Sequence, residues 1–187
     1  MAFTKWKKIG EPEILAQGYG KKFVKQKFID HKDQQTDFFF TDPWDWATIL
    51  AVTRDNKVIM TRQYKQGADD IVDELPAGAV EKSDKNPEET IKRELLEETG
   101  YEADQVIPLG FTWENSRNSR CFGYYFLAKD CKKVKEQKLD DGEQLEVFEL
   151  ELEDFFAKII QTEFINADLY LVVLRALKHL GLKAVIT

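Results

Sequence analysis

The segment Asn86–Tyr101 constrains this chain more than any other, because it carries its own start, its own stop and a one-sided pattern between them. Asn86 is a favoured N-cap, Pro87 suits the first helical position, and Glu89 could close a capping box. Gly100 can take the left-handed conformation that stops a helix. The spacing therefore predicts a helix over Glu88–Thr99. Glu94 lies three residues before Glu97 and four before Glu98, so all three share one side. Ile91 and Leu95 line a different side, which would face a core. Like charges at this spacing cost about 0.2–0.5 kcal/mol per pair. Two metal ions would turn that cost into binding energy and could clamp a phosphate. Arg93, four residues before Glu97, can brace it. The other reading is a solvated acidic face with salt bridges.

Around this helix the chain reads as two regions. In residues 1–42, Glu13–Ala16, Lys22–Ile29 and Asp37–Thr41 read as short strands, broken by Gly18, Gly20 and the polar run His31–Thr36. Such an antiparallel sheet is too small to stand alone and must pack on something, a second subunit being one choice. Residues 43–187 form the main domain. Strands are predicted at Trp46–Thr53 and Val58–Tyr64, which form a hairpin, and at Ile71–Leu75, Val106–Trp113, Phe122–Ala128 and Leu145–Leu150. Pro76-Ala77-Gly78 ends the third of these. Helices are predicted at Glu153–Thr162 and Ala167–Leu180, the second capped by Asn166 and packing through Tyr170, Leu171, Leu174 and Leu177. Strands and helices do not alternate regularly. That favours α+β, a sheet sandwiched between helices, over a doubly wound parallel sheet.

Composition narrows the function. The 34 acidic residues outnumber the 27 basic ones, giving a formal charge of −7, the wrong sign for holding nucleic acid by its phosphates. Carboxylates in excess suit a hard divalent cation. Cys121 and Cys131 form no CxxC pair or His/Cys cluster, so a zinc site is not expected; two thiols without a framework suggest a reducing compartment. Met1–Gly10 lacks the apolar stretch of a secretory signal, and no run approaches the roughly 20 residues that span a bilayer. A cytoplasmic protein without membrane or nucleic-acid partners is expected.

Arg93-Glu94-Leu95-Leu96-Glu97-Glu98-Thr99-Gly100-Tyr101 resembles the second half of the Nudix box, with Tyr101 at the final aliphatic place. Gly78 matches the opening glycine. The first half departs from the family pattern. The glutamate expected eight residues before Arg93 is Lys85, and 14 residues separate Gly78 from Arg93 (93 − 78 − 1) where the family has 13. Asp84 is the nearest acid and a candidate replacement. The stretch Glu74-Leu75-Pro76-Ala77-Gly78 and the segment Arg62-Gln63-Tyr64-Lys65 resemble the branch that includes ADP-ribose pyrophosphatases and related nucleotide-sugar hydrolases.

The resemblance implies an α/β/α Nudix sandwich with a small N-terminal antiparallel sheet, and an intertwined homodimer. It implies a hydrolase that cuts the pyrophosphate bond of ADP-ribose or a related nucleotide sugar, with Mg2+ as cofactor and Mn2+ as an alternative. By the same resemblance Glu94, Glu97, Glu98 and the Ala77 carbonyl hold metal, Arg93 supports them, and Glu143 is the candidate base, with Glu146 and Asp141 behind it. A plain hairpin turn around Asp141-Gly142 is the competing reading of that loop. On the substrate side stand Arg62, Glu74, Trp46 and Arg117. Trp44, Trp113 and Tyr64 could also stack on a base, and Lys65 and Arg120 could meet phosphate or ribose, although large aromatics are more often core. A GDP-mannose or dinucleotide hydrolase, a triphosphate pyrophosphatase, and a Nudix-fold regulator that binds without cutting are the alternatives.

Overall fold

The computed structural model describes residues 3–164 and 166–182. Met1 and Ala2, from the stretch read as lacking a signal, lie outside the described residues. The chain divides into two compact units, Met1–Asp45 with Thr112–Gly123, and Trp46–Phe111 with Tyr124–Thr187. Its elements are β1 (Lys7–Gly18), β2 (Lys21–Ile29), β3 (Gln35–Thr41), β4 (Trp46–Thr53), β5 (Lys57–Lys65), β6 (Asp70–Glu74), β7 (Ala77–Ala79), α1 (Pro87–Thr99), β8 (Tyr101–Glu102), β9 (Gln105–Trp113), β10 (Phe122–Lys133), β11 (Glu146–Glu151), α2 (Leu152–Ile160) and α3 (Ala167–Ala176), followed by a 3-10 turn, Leu177–Leu180.

In the first unit β1, β2 and β3 form an antiparallel sheet in that order. The sequence pattern shortened β1 because its alternation is interrupted: the register slips between Ile9 and Glu13 and again between Ile14 and Ala16. Thr112–Gly123 joins this unit through backbone pairing, with the Thr41 N–H donating to Asn118 O (2.8 Å) and the Arg120 N–H to Thr41 O (3.0 Å). The Arg120 guanidinium lies 3.5 Å from the centre of the Phe40 ring.

The second unit is built on a sheet with strand order β11-β5-β4-β10-β8; β6 adds to β5, β7 to β4 and β9 to β10. β4 and β5 are buried almost throughout, which explains their continuous apolar runs. Opposite faces of β4 feed two cores. Leu50 and Val52 pack with Phe155, Leu169, Val172 and Val173 of α2 and α3; Ala47, Ile49 and Ala51 pack with Ile91 and Leu95 of α1. Helices on both faces of a sheet make the α/β/α sandwich expected from the sequence.

The structure revises three local expectations. Pro76-Ala77-Gly78 does not simply end a strand: Ala77–Ala79 pairs with Trp46–Thr48 as β7. Asn166 does not cap α3 by a side-chain hydrogen bond; its amide instead donates to Glu74 Oε1 at 2.5 Å. And α3 buries Leu169, Val172, Val173 and Ala176 most deeply; Tyr170, Leu171 and Leu177 pack at the margin of that core as expected, while Leu174 is exposed. Among the described residues no helix is long and apolar enough to cross a membrane.

Candidate active site

Helix α1 begins and ends as its sequence dictates. Asn86 Oδ1 accepts the Glu89 N–H at 2.9 Å, and Gly100, at φ 76°, donates to Leu96 O. The box closes one residue early, because Glu89 takes the N–H of Lys85 (2.7 Å). Ile91 and Leu95 anchor the helix in the core, which presents Glu94, Glu97 and Glu98 beside β7. Glu98 is buried and accepts the Ala77 N–H at 3.2 Å. Glu94 lies against Gly78 so closely that a Cβ there would fall 2.2 Å from its Cδ. Any other residue at position 78 would displace the carboxylate.

Charge is concentrated here against its own solvation. Burial, then the Arg93 and carboxylate neighbours, leaves Glu94 at about 7, raised from the ordinary range. Burial, with Glu94 and Glu143 nearby, pushes Glu98 to about 8. Burial opposes the charge of Arg93, yet its acidic partners hold its pKa above the ordinary value. Arg93 Nη1 stands 2.9 Å from Glu94 Oε1 and 3.0 Å from Glu97 Oε2, so one cation already bridges two of the three glutamates.

Glu143 reaches this cluster from the loop between β10 and β11, close enough to disfavour ionisation of both Glu94 and Glu98. Its carboxylate accepts the Asp140 N–H at 3.1 Å, folding the loop on itself. The loop is tied to the end of α1: the Lys138 N–H donates to Glu97 O (2.7 Å), and the N–H groups of Val134 and Lys135 donate to Gly100 O (2.9 and 3.3 Å). Gln137 Nε2 closes its far side on Leu145 O at 3.0 Å.

Among the described residues no three acidic, cysteine or histidine side chains already stand as a formed metal cage. The donor set nevertheless fits a hard divalent cation. It is all oxygen, two of its carboxylates ionise reluctantly because they are buried, and Gly78 leaves the space that Glu94 occupies.

The residues expected on the substrate side are dispersed. Arg62 is clamped by Asp73 (Nε–Oδ1 2.6 Å, Nη2–Oδ2 3.0 Å) and lies 4.8 Å from the Phe148 ring centre, on a cleft of about 340 Å³ whose lining includes none of the three helix glutamates. Glu74 is held by Lys65 (2.8 Å), Gln63 (3.2 Å) and Asn166. Trp46 meets Tyr125 edge-on at 5.7 Å, at the margin of the core. Arg117 is exposed in the first unit, on the loop where its N–H donates to Asn115. The sequence reading gave Asn166 only a cap's role and missed Gln137; their partners lie far off or across a loop, and neither contact carries a local signal.

Residues 43–170 match the NUDIX domain family, and the chain belongs to that family. Over 122 residues it is 34% identical to an ADP-ribose pyrophosphatase of Bacillus subtilis (strain 168), covering 65% of each protein, so the chain spans just under two thirds of that relative. Over 139 residues it is 32% identical to a methanol dehydrogenase activator of Bacillus methanolicus, covering 71% of this chain and 75% of the relative. A crystal structure described as an ADP compounds hydrolase superposes with a TM-score of 0.83 over 97% of both chains at 16% identity, a likeness of fold.

Proposed function

We propose that the protein hydrolyses the pyrophosphate bond of a nucleoside diphosphate derivative, ADP-ribose or a related nucleotide sugar, to a nucleoside monophosphate and a sugar phosphate. The observation that carries the reading is the placement of Glu94 and Glu98 against the Gly78 and Ala77 backbone, with Glu97 on the same helix face bridged to Glu94 by Arg93. The similarity to an ADP-ribose pyrophosphatase supports the substrate class.

Glu94, Glu97, Glu98 and the Ala77 carbonyl would hold magnesium, which when bound neutralises the diphosphate and polarises phosphorus. Arg93 keeps two of these carboxylates in place. Glu143, anchored to the same helix end, takes a proton from the attacking water as the P–O bond to the leaving phosphate breaks. Glu74 and Lys65, at the end of β6 and of β5, are the substrate-side pair beside this cluster; Lys65 is felt electrostatically by Glu98. Arg62, Trp46 and Arg117 remain assigned to substrate contacts on their chemistry.

We also read residues 1–42 as a homodimerisation extension. Trp6, Ile14, Phe23, Phe38 and Phe39 are all exposed on or beside its sheet. A monomer in analytical ultracentrifugation at micromolar concentration would refute this. The buried free thiols of Cys121 and Cys131 support a reducing, cytoplasmic setting.

A second reading is a hydrolase of dinucleotides, and the similarity to a methanol dehydrogenase activator supports a role in the service of another enzyme. One assay separates them. Phosphate release, coupled to a phosphatase, is measured on ADP-ribose, GDP-mannose, UDP-glucose, NAD and nucleoside triphosphates with magnesium, with and without EDTA. Cleavage of a nucleotide sugar supports the first reading, and preference for NAD the second. Silence on every compound with binding retained in thermal shift points to a non-catalytic regulator.

A further inference from the structure

We propose that Asp84 is a positioning residue for the carboxylate cluster: it anchors Arg93, and through Arg93 it orients Glu94 and Glu97. The proposal rests on the reading of that cluster as a metal site.

The sequence leaves two positions competing for the place of the missing box glutamate. Six residues after Gly78 stands Asp84 (84 − 78); eight before Arg93 stands Lys85 (93 − 85). The extra residue therefore falls between Asp84 and Arg93. The structure separates the two sharply. The Lys85 side chain is 83% exposed and meets only Glu89, at 3.4 Å. The Asp84 side chain is 6% exposed, and its Oδ2 receives three donors: the Glu81 N–H at 3.0 Å, the Thr90 hydroxyl at 2.8 Å and Arg93 Nη2 at 3.3 Å.

Three donors on one oxygen leave Oδ2 without a free lone pair. What it can do is fix its donors. The Asp84 N–H also closes a turn on Glu81 O (3.1 Å), so the carboxylate is held from both sides before it meets Arg93. A guanidinium is a rigid planar fork, and fixing one nitrogen aims the other. With Nη2 on Asp84, Nη1 points at Glu94 (2.9 Å) and Glu97 (3.0 Å). Glu81, 4.0 Å from Nη2 and half exposed, is too distant and too wet to substitute.

The test is Mn2+ titration by calorimetry into the metal-free full chain, with thermal melts alongside. Asp84→Asn keeps the shape and two of the donors, and its Mn2+ dissociation constant should rise about 10–100-fold. Arg93→Ala should do the same, and the double variant should bind no more weakly than Arg93→Ala alone, because both remove one device. Lys85→Ala should bind as wild type. If Asp84→Asn does not fold, Arg93→Lys replaces it: one ammonium cannot serve Asp84 and both glutamates, so affinity should fall by a similar factor. Wild-type affinity in the folded Asp84→Asn or in Arg93→Lys, or losses that multiply in the double variant, would overturn the brace. A wild-type chain that takes up no Mn2+ would instead remove the metal reading, and the brace with it.

Discussion

The carboxylate of Glu94 occupies the space in which a side chain on Gly78 would have to begin, its Cδ 2.2 Å from the position of the missing Cβ. The β7 backbone and the face of α1 are thus fitted to each other at the point where the candidate metal ligands gather. Gly78→Ala must move Glu94 or the strand. We expect it to lower kcat at least tenfold and to weaken Mn2+ binding while the protein still melts cooperatively. Unchanged kinetics would show that the close approach has no functional weight.

Glu98→Gln should reduce turnover by orders of magnitude. Glu98 is buried among like charges, so the neutral isostere relieves repulsion in the metal-free protein. Its melting temperature at pH 8 without metal should be equal to or above that of wild type. Activity close to wild type would exclude Glu98 as a ligand.

The same carboxylates set a pH dependence. Glu94 at about 7 and Glu98 at about 8 sit above the ordinary glutamate value of 4.5, so between these limits the folded chain holds more protons than the unfolded one. Stability of the metal-free protein from these groups is full below about pH 4.5 and is lost as pH rises through 7 and 8. Melts in EDTA should therefore show a falling midpoint from pH 5.5 to 8.5. Magnesium should flatten the slope, and so should Glu98→Gln. A midpoint that rises over this range in EDTA would contradict the assignment.

Glu143→Gln should cut kcat by about 10²–10⁴-fold if its carboxylate takes the proton from water. The amide oxygen can still accept the Asp140 N–H, so the loop should keep its shape. Mn2+ affinity should change little, which distinguishes loss of a base from loss of a ligand. A comparable loss of metal binding would make Glu143 a ligand.

Gly100→Ala tests the stop of α1. Its φ is 76°, and a Cβ would fall 2.1 Å from Lys135 O. Strain and clash together should cost about 1–3 kcal/mol, read from urea unfolding. A neutral substitution would mean that the segment after β10 yields freely.

Helix α1 was legible in the sequence because its determinants are local: a cap, a proline, a periodic face and a glycine, all within Asn86–Gly100. The short pairings were not. β7 has three residues and β8 two, and each is a strand only because of a distant partner, β4 or β10. The membership of Thr112–Gly123 in the first unit depends on Thr41 meeting Asn118 and Arg120, some 80 residues along the chain, which no local pattern announces. Asn166 read as a cap because of its place before an apolar helix, but a stronger acceptor, Glu74, was available through the fold. The glutamates of the candidate site were legible by spacing. The burial that unsettles their ionisation was not, since it depends on how α1 packs beside β7.

The Glu143 loop hangs from the last turn of α1 by backbone bonds to Glu97 O and Gly100 O. The proposed metal ligands and the proposed base are thereby tied to each other through main-chain hydrogen bonds alone. On the proposed reading, Arg62, Trp46 or Arg117 can be exchanged without disturbing that tie, so a change of substrate preference need not disturb the machinery of cleavage.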